Sequence, residues 1–265
     1  MRIVQVVVEG SSEFEKKCQR VDFAELSKTH EIVVIDSPRN APKADVAHIY
    51  GQPTDLIGFS TPYVASSAPR TPRLAWRKPP QPVAFVGPDD VPEAVEEEFF
   101  VWRPAPSPVV ASEGARRHTI GSFRRPSIRN IIEQTVVRLS RFRDDVEWKL
   151  FEHIPSPTDL AGVDLWADPT GDENDQDGFV AEALVAGKVV VATRSKMNLQ
   201  RTEKGRSAFL VPREDPNELT HAILAALFKP EVAQQKIEAA RQTAGKFRPR
   251  QRSRVLERIY ETVIR

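Results

Sequence analysis

Acidic side chains collect in one polar stretch of the sequence, directly before a segment typical of a short helix followed by a buried strand. Glu173 and Asp177 lie in the polar stretch, Gly178 closes it, and Glu182 follows inside an apolar run. A helix that begins after Gly178 would present unpaired backbone N–H groups and the positive end of its dipole. Such a helix start suits an anionic or hydroxyl-rich ligand, and Glu182 in the first turns would lie within reach of it.

Two other interpretations of this stretch need to be weighed. The first is an acidic, solvated loop ahead of an ordinary helix of an α/β protein. The second is a calcium loop, because Glu173, Asp175, Asp177 and Gly178 have the spacing of an EF-hand. The twelfth position of that loop is Leu184, however, so the bidentate glutamate is missing and calcium is excluded.

A basic segment earlier in the chain has the residue types that bind phosphate. Arg124 and Arg129 are separated by five positions, after a predicted strand and before a helix predicted over 131–142. Guanidinium groups and the amides of a helix start could converge there on phosphate groups. A solvated basic loop remains the alternative, because this region also contains Arg125 and several further arginines.

The first fifty residues predict a parallel sheet. A β-branched run over 2–8 reads as a buried strand, a turn at Gly10, Ser11 and Ser12 follows, and a helix is predicted over 13–26. Short strands are predicted next, at 31–35 and 44–50. Alternating strands and helices favour a parallel α/β sheet, with ligands at the carboxyl ends of its strands.

These segments together resemble the retaining glycosyltransferases of the GT-B fold, of the large family-four type. In that family a Glu, a Gly-Phe-Gly turn and a second Glu precede a run written Ala-x-x-x-Gly-Lys-Pro-Val-Val-Ala-Thr. Glu173, the turn from Gly178 to Val180, Glu182 and the run 183–193 occupy these positions here. The two glutamates are nine rather than eight positions apart, which makes Asp177 a rival for the first position, and Val180 replaces the third residue of the turn.

The resemblance implies an α/β fold of two Rossmann-like lobes. Residues 1–108 would form a truncated N-terminal acceptor-side lobe with a proline-rich linker, since eleven of the 22 prolines lie between Phe59 and Val109. Residues 109–265 would form the donor lobe, with a C-terminal helix that crosses back to the first lobe. A short helix is predicted within the linker, at 93–99.

The resemblance also implies the chemistry, which is retaining transfer of a sugar from a nucleoside diphosphate donor without a metal ion or another cofactor. Catalytic roles fall on Glu173, Arg124 and Arg129. Stabilisation of the diphosphate falls on the two arginines and on the turn of Gly10, Ser11 and Ser12. By the same resemblance Glu182 holds the ribose, and the sugar is held by Glu173 and by the backbone of Gly178, Phe179 and Val180.

Departures on the acceptor side leave a second function open. The family delivers a His-Gly pair to the acceptor, and Ala68 and Pro69 stand at those positions. A non-catalytic nucleotide-sugar-binding or partner subunit is therefore the alternative. His30 and His48 are more often structural than catalytic in such positions. A sugar-phosphate isomerase or epimerase would need a catalytic histidine or acid in the same cleft, and none is well placed.

The composition limits the classes of binding partner and the cellular compartment that are expected for this protein. A net charge of +1 argues against nucleic acid, and the single cysteine, Cys18, excludes a disulfide framework and fits a reducing cytoplasm. No apolar run approaches 18 residues, so a soluble, cytoplasmic protein is expected. The acceptor is unknown and could be a glycan or a lipid-linked molecule. The basic run 246–254 is either a solvated face or a peripheral contact with the inner membrane face.

Overall fold

The computed structural model describes residues 1–9, 11–51, 59, 61–66, 84–85, 91–100, 117–152, 155–169 and 179–265. The chain divides into two compact units. The first consists of Met1–Glu96 and Lys246–Arg265, and the second of Glu97–Gly245. The division therefore falls nearer the N-terminus than the predicted boundary at 108, and the residues after Gly245 group with the first unit rather than with the donor lobe.

The described residues contain ten strands and eight α-helices. The strands are β1 (Arg2–Val7), β2 (Glu31–Ile35), β3 (Val46–Tyr50), β4 (Tyr63–Ala65), β5 (Ala84–Phe85), β6 (His118–Phe123), β7 (Val146–Phe151), β8 (Leu165–Asp168), β9 (Val189–Thr193) and β10 (Phe209–Val211). The helices are α1 (Glu13–Leu26), α2 (Arg129–Leu139), α3 (Pro157–Ala161), α4 (Val180–Val185), α5 (Lys196–Arg201), α6 (Pro216–Phe228), α7 (Pro230–Thr243) and α8 (Pro249–Ile264).

The first unit is built on a five-stranded sheet in the order β2-β1-β3-β4-β5, and every recorded strand pair is parallel. Because side chains alternate along a strand, β1 buries Val4 and Val6 on one face and Ile3 on the other. Ile3 packs in a cluster with Leu256 and Tyr260 of α8. The C-terminal helix therefore belongs to the core of the first unit, as the resemblance implied.

Helix α1 begins at a capping box. The Ser12 hydroxyl accepts a hydrogen bond from the Glu15 amide at 3.2 Å, and the Glu15 carboxylate accepts one from the Ser12 amide at 2.8 Å. This pairing satisfies two of the amides that a helix start leaves open. The predicted bounds of α1 and β2 agree with the structure.

The second unit contains the other five-stranded parallel sheet, in the order β10-β9-β8-β6-β7. Its core joins the central strands to α6, through Ile120, Leu165 and Val191 on the sheet and Leu219 and Ile223 on the helix. The α/β class and the two Rossmann-like units are thus confirmed, whereas the shortening of the N-terminal lobe stays a prediction.

Three short elements differ from expectation. The predicted helix over 93–99 is instead a single 3-10 turn, Glu97–Phe100. Helices α3 and α5 were not predicted, and each has only five or six residues with a serine at its N-cap. Single-turn helices lack the repeated apolar spacing by which longer helices are recognised.

Candidate functional site

The second sheet has a topological switch point between β6 and β8. The chain passes from β6 outward to β7 and then returns to the opposite side of β6 to form β8. In parallel α/β sheets, ligands bind beside such a point, outside the carboxyl ends of the strands. The residues that follow β6, β8 and β9 at this edge are therefore the first candidates for a binding site.

Arg124 follows β6 directly and is exposed at this edge. Its amide donates to the Phe151 carbonyl at 2.7 Å, which extends the pairing of β6 with β7 by one residue. Its guanidinium pairs with Glu152, and both side chains are more than 60% exposed. An exposed pair of this kind contributes little to stability and can be exchanged for another anion at small cost.

Arg129 is the first residue of α2 and is separated from Arg124 by a 3-10 turn, Pro126–Ile128. Its Nε donates to Glu133 Oε1 at 2.7 Å, and its side chain is 80% exposed. That hydrogen bond raises the pKa of Arg129 above its usual range. The two predicted phosphate-binding arginines thus flank one turn, and each guanidinium contacts a surface carboxylate.

Arg125 and Asp168 form an ion pair at the switch point that sequence analysis missed. Arg125 follows β6, Asp168 ends β8, and their side chains are only 11% and 3% exposed. The pair ties the carboxyl ends of the two strands together beside the expected ligand crevice. The only signals in the sequence are a second arginine, directly before Pro126, and an aspartate directly before Pro169.

An aromatic cluster lies under the start of α4. Phe179, the N-cap residue, has its ring centroid 6.0 Å from that of Phe123 and 6.2 Å from that of Trp166. Trp166 packs closely over Gly121, where an added Cβ would lie 2.9 Å from the indole ring. These contacts place the first turn of α4 against the ends of β6 and β8.

Glu182 and Val180 are buried within α4, at 1% and 0% exposure, and Phe179 is 6% exposed. Because the side chains of Phe179 and Val180 pack into the interior, only their backbone groups could contact a ligand. Phenylalanine has no side-chain acceptor, so the N-cap of α4 offers none to the amides of the first turn. Glu173, Asp177 and Gly178 lie outside the described residues.

The turn after β1 contains Ser11 and Ser12, whereas Gly10 lies outside the described residues. The Ser11 hydroxyl is 2.6 Å from the Val8 carbonyl oxygen and 3.0 Å from that of Tyr50, at the ends of β1 and β3. Gly51, at φ +94°, leaves room for it, since an added Cβ would lie 2.5 Å from Ser11 Oγ. Both serine hydroxyls therefore make local structural contacts, and so do both amides, which donate to the Val8 carbonyl at 3.1 Å and to the Glu15 carboxylate at 2.8 Å.

His48 and His30, for which the sequence favours a structural role, both contact side chains of the first unit. His48 is fully buried, with Nδ1 2.6 Å from the Tyr260 hydroxyl oxygen and its ring stacked 4.1 Å from that of Tyr50. Burial, aided by the positive charge of Arg252, lowers the pKa of His48 to about 3. His30 Nε2 lies 3.1 Å from Glu257 Oε1 of α8. Neither histidine lies at the carboxyl edge of the second sheet.

Among the described residues there is no group of three His, Cys, Asp or Glu side chains arranged to hold a metal ion. In the same part of the chain, no helix combines the length and the apolar character required to cross a bilayer.

Comparison with known proteins identifies the fold. No family model matches the chain, and no curated protein matches its sequence. HepE of Anabaena in complex with UDP superposes with a TM-score of 0.67 at 13% identity, over 99% of this chain and 100% of that chain. A glycosyltransferase of Rickettsia africae gives 0.64 at 12% identity, over 100% of this chain and 98% of that chain.

The glycosyltransferase SnogD of Streptomyces nogalater is also similar, with a TM-score of 0.54 at 11% identity, over 98% of this chain and 99% of that chain. At such low identities the similarity concerns the fold alone. The chain therefore has the two Rossmann-like α/β units of the GT-B architecture.

Proposed function

We propose that the protein is a retaining glycosyltransferase, which moves a sugar from a nucleoside diphosphate donor to an acceptor. One observation carries the proposal. In a fold shared with glycosyltransferases, Arg124 and the first turn of α4 lie at the carboxyl edge of the second sheet, beside its switch point. HepE, which has the same architecture, forms a complex with UDP, and this supports a nucleotide as the ligand here.

The diphosphate would be bound by Arg124 and Arg129. Each would exchange an exposed carboxylate, Glu152 or Glu133, for a phosphate oxygen, and the exchange is easy because both existing pairs are solvated. Guanidinium–phosphate hydrogen bonds are charge-assisted and often bidentate. As the diphosphate departs with the bonding electron pair, these guanidinium groups and the open amides of α4 would oppose the negative charge that develops on it.

The remaining donor contacts follow the resemblance. Glu182 would accept hydrogen bonds from the ribose hydroxyls, and its burial suits a carboxylate that acts away from water. Glu173, with Asp177 as its rival, would bind the transferred sugar together with the backbone of Gly178, Phe179 and Val180. Gly10, Ser11 and Ser12 are assigned to donor binding by the same resemblance. Because the hydroxyls and the amides of both serines already have local partners, a donor contact with Ser11 or Ser12 would have to replace one of these hydrogen bonds.

We infer that catalysis needs no metal ion, because the groups assigned to the charge of the diphosphate are the cationic arginines and neutral amide donors. The acceptor remains a glycan or a lipid-linked molecule, and the protein would act in the cytoplasm, with or without peripheral contact to the inner membrane face. In the structure, not every arginine of the basic run 246–254 is available for such contact. Arg248, Arg250 and Arg254 are exposed, but Arg252 is buried in an ion pair with Asp22.

The test of this function is donor turnover. The protein is incubated with UDP-, GDP- and TDP-linked sugars, with and without EDTA, and release of the nucleoside diphosphate is measured with water and with candidate acceptors. Slow donor hydrolysis that persists in EDTA supports the enzyme. Saturable donor binding without any release favours the non-catalytic subunit instead.

Glu173→Gln, compared with Asp177→Asn, identifies the sugar-binding carboxylate. Substitution of the residue that holds the transferred sugar should lower turnover more than donor affinity, because the charge on the sugar changes only as the glycosidic bond breaks. Equal effects of both substitutions on turnover and affinity would contradict the assignment of this acidic stretch.

A further inference from the structure

Helices α2 and α6 of the second unit enclose a surface cleft of about 320 Å³. Such a volume falls at the lower end of the range for small-molecule sites, roughly 300–1,000 Å³. The α2 residues that line the cleft begin at Val137, eight positions after Arg129. At 1.5 Å per residue this is about 12 Å along the helix axis, so the cleft is separate from the arginines assigned to the donor.

Hydrogen bonds hold the guanidinium of Arg138 in this cleft, but none of their acceptors neutralises its positive charge. Its Nε donates to Asn217 Oδ1 of α6 at 2.8 Å, and its Nη1 donates to the Gln134 carbonyl of α2 at 3.0 Å. Both acceptors are neutral. Among the described contacts no carboxylate pairs with Arg138 or with Arg141, which is exposed one turn further along the chain. Two arginines therefore line the cleft without a carboxylate partner among the described contacts.

Acidic groups do little to offset this charge. Glu218 Oε1 lies 4.0 Å from Nδ1 of His221, and both side chains are mostly exposed. Asp215 caps α6, where its Oδ1 accepts hydrogen bonds from the amides of Asn217 and Glu218 at 3.0 Å. Since Asp215 already satisfies those amides, anion binding in the cleft would depend on the arginines rather than on the helix start.

The same cleft exposes apolar surface. Phe142 is 64% exposed and Val137 is 55% exposed, although both are large apolar side chains. Exposed apolar surface that adjoins a cleft with polar groups is typical of a binding site. The cleft thus combines an aromatic ring and an aliphatic group with two arginines, which is a pattern suited to a ligand with a charged end and an apolar body.

We propose that this cleft binds a small organic anion, in which a phosphate or carboxylate is carried on a compact apolar or aromatic group. The anion would accept hydrogen bonds from Arg138 and Arg141, whose planar guanidinium groups match phosphate and carboxylate geometry. The apolar body would pack on Phe142 and Val137. Neither contact suffices alone, because exposed charges are screened by salt and the apolar surface is small.

The test is a calorimetric and NMR titration of the full chain with three probes. Phenyl phosphate carries both features, inorganic phosphate carries only the charge, and benzyl alcohol carries only the ring. Phenyl phosphate should saturate and bind at least about tenfold more tightly than either of the others, because it alone gains the charge-assisted hydrogen bonds together with the apolar contact. Failure of phenyl phosphate to saturate, or affinity equal to that of inorganic phosphate, would overturn the proposal.

Variants locate the binding. Arg141→Ala and Phe142→Ala should each weaken phenyl phosphate binding by about tenfold, whereas Arg254→Ala in the first unit should leave it unchanged. Both lining residues are exposed, so the variants should keep the unfolding curve of the wild type. Arg124→Ala should also leave the binding unchanged. If binding is lost in Arg124→Ala but retained in Arg141→Ala, phenyl phosphate binds at the donor site, and the proposal that it binds in the cleft is overturned.

Discussion

Arg252 of α8 and Asp22 of α1 form a two-point ion pair across 230 positions of sequence, with Nε to Oδ1 at 2.7 Å and Nη2 to Oδ2 at 3.0 Å. Their side chains are only 8% and 1% exposed. Burial alone lowers the pKa of Arg252, but the charge of Asp22 raises it above its usual range. The Tyr50 hydroxyl donates to the same carboxylate at 2.8 Å. The pair thus fastens the C-terminal helix to the first unit.

Removing one member of this pair should strongly destabilise the protein. Arg252→Met leaves the Asp22 carboxylate buried without its partner, and we expect a loss of about 3–5 kcal/mol in the free energy of unfolding. Urea denaturation of wild type and variant measures it. The matched control is Arg254→Met, at an exposed position of the same helix, which should change stability by less than about 0.5 kcal/mol. Equal stability of the two variants would contradict the role of the ion pair.

His48 should make stability fall in mild acid. It stays neutral in the folded protein down to about pH 3, whereas in the unfolded chain it takes up a proton near pH 6.5. The unfolded state therefore binds the extra proton first, and stability is lost as pH falls through 6.5. Between pH 7 and pH 5 the loss due to this residue should be about 2 kcal/mol.

The measurement for His48 is urea denaturation at pH 7 and pH 5. His48→Gln also removes the contact with Tyr260, so the quantity compared is the change in stability with pH rather than stability itself. That change should be smaller in His48→Gln than in the wild type. His221→Gln, at a mostly exposed position, should retain the wild-type dependence. An unaltered pH dependence in His48→Gln would show that the buried ring is not responsible.

Local sequence signals predict the regular helices and strands well, because each of these elements is specified by a few neighbouring residues. The turn that ends at Ser12 marks the start of α1, and the β-branched run after Arg2 identifies β1. The same signals failed where a single turn was involved. The glutamates from Glu96 to Glu98 favour a helix by propensity, yet only a 3-10 turn forms there.

Contacts between distant residues were not predictable from the sequence. Arg125 and Asp168 are 43 positions apart, so their pairing depends on β8 returning beside β6, and no local pattern encodes that return. For the same reason the sequence alone does not distinguish Arg252 from the other arginines of the run 246–254, although its side chain is buried against Asp22 of α1. The candidate site residues were selected by resemblance, and the structure adds that Glu182 is buried whereas Arg124 and Arg129 are exposed.

Arg124→Ala and Arg129→Ala should each weaken nucleoside diphosphate binding by about 1.5–3 kcal/mol, the range for a hydrogen bond to a charged group. Nucleoside binding should hardly change, because it involves no phosphate. Since both side chains are exposed, the free energy of unfolding should stay within about 0.5 kcal/mol of wild type. Calorimetric titration with UDP and uridine measures the difference. Equal losses for UDP and uridine would assign these arginines to the fold instead of the ligand.

Glu182 is best tested by Glu182→Gln. Alanine is less suitable, because at 1% exposure the loss of the side chain would open a cavity in the interior. Glutamine keeps the shape and removes the charge, so donor affinity should fall about tenfold or more with loss of a charge-assisted hydrogen bond to ribose. Glu261→Gln, on an exposed position of α8, is the control. Wild-type donor affinity in Glu182→Gln would remove this residue from the site.

The central claim, that the second unit binds a nucleoside diphosphate, is tested most directly by unfolding in the presence of UDP, GDP and TDP, with the matching nucleosides as controls. At a concentration 100 times its dissociation constant, a ligand that binds only the folded protein adds about 2.7 kcal/mol to the free energy of unfolding. We expect such a gain with at least one diphosphate, and a gain reduced to about 0.3–1.3 kcal/mol in Arg124→Ala at the same ligand concentration. No gain with any of the three diphosphates would contradict the claim.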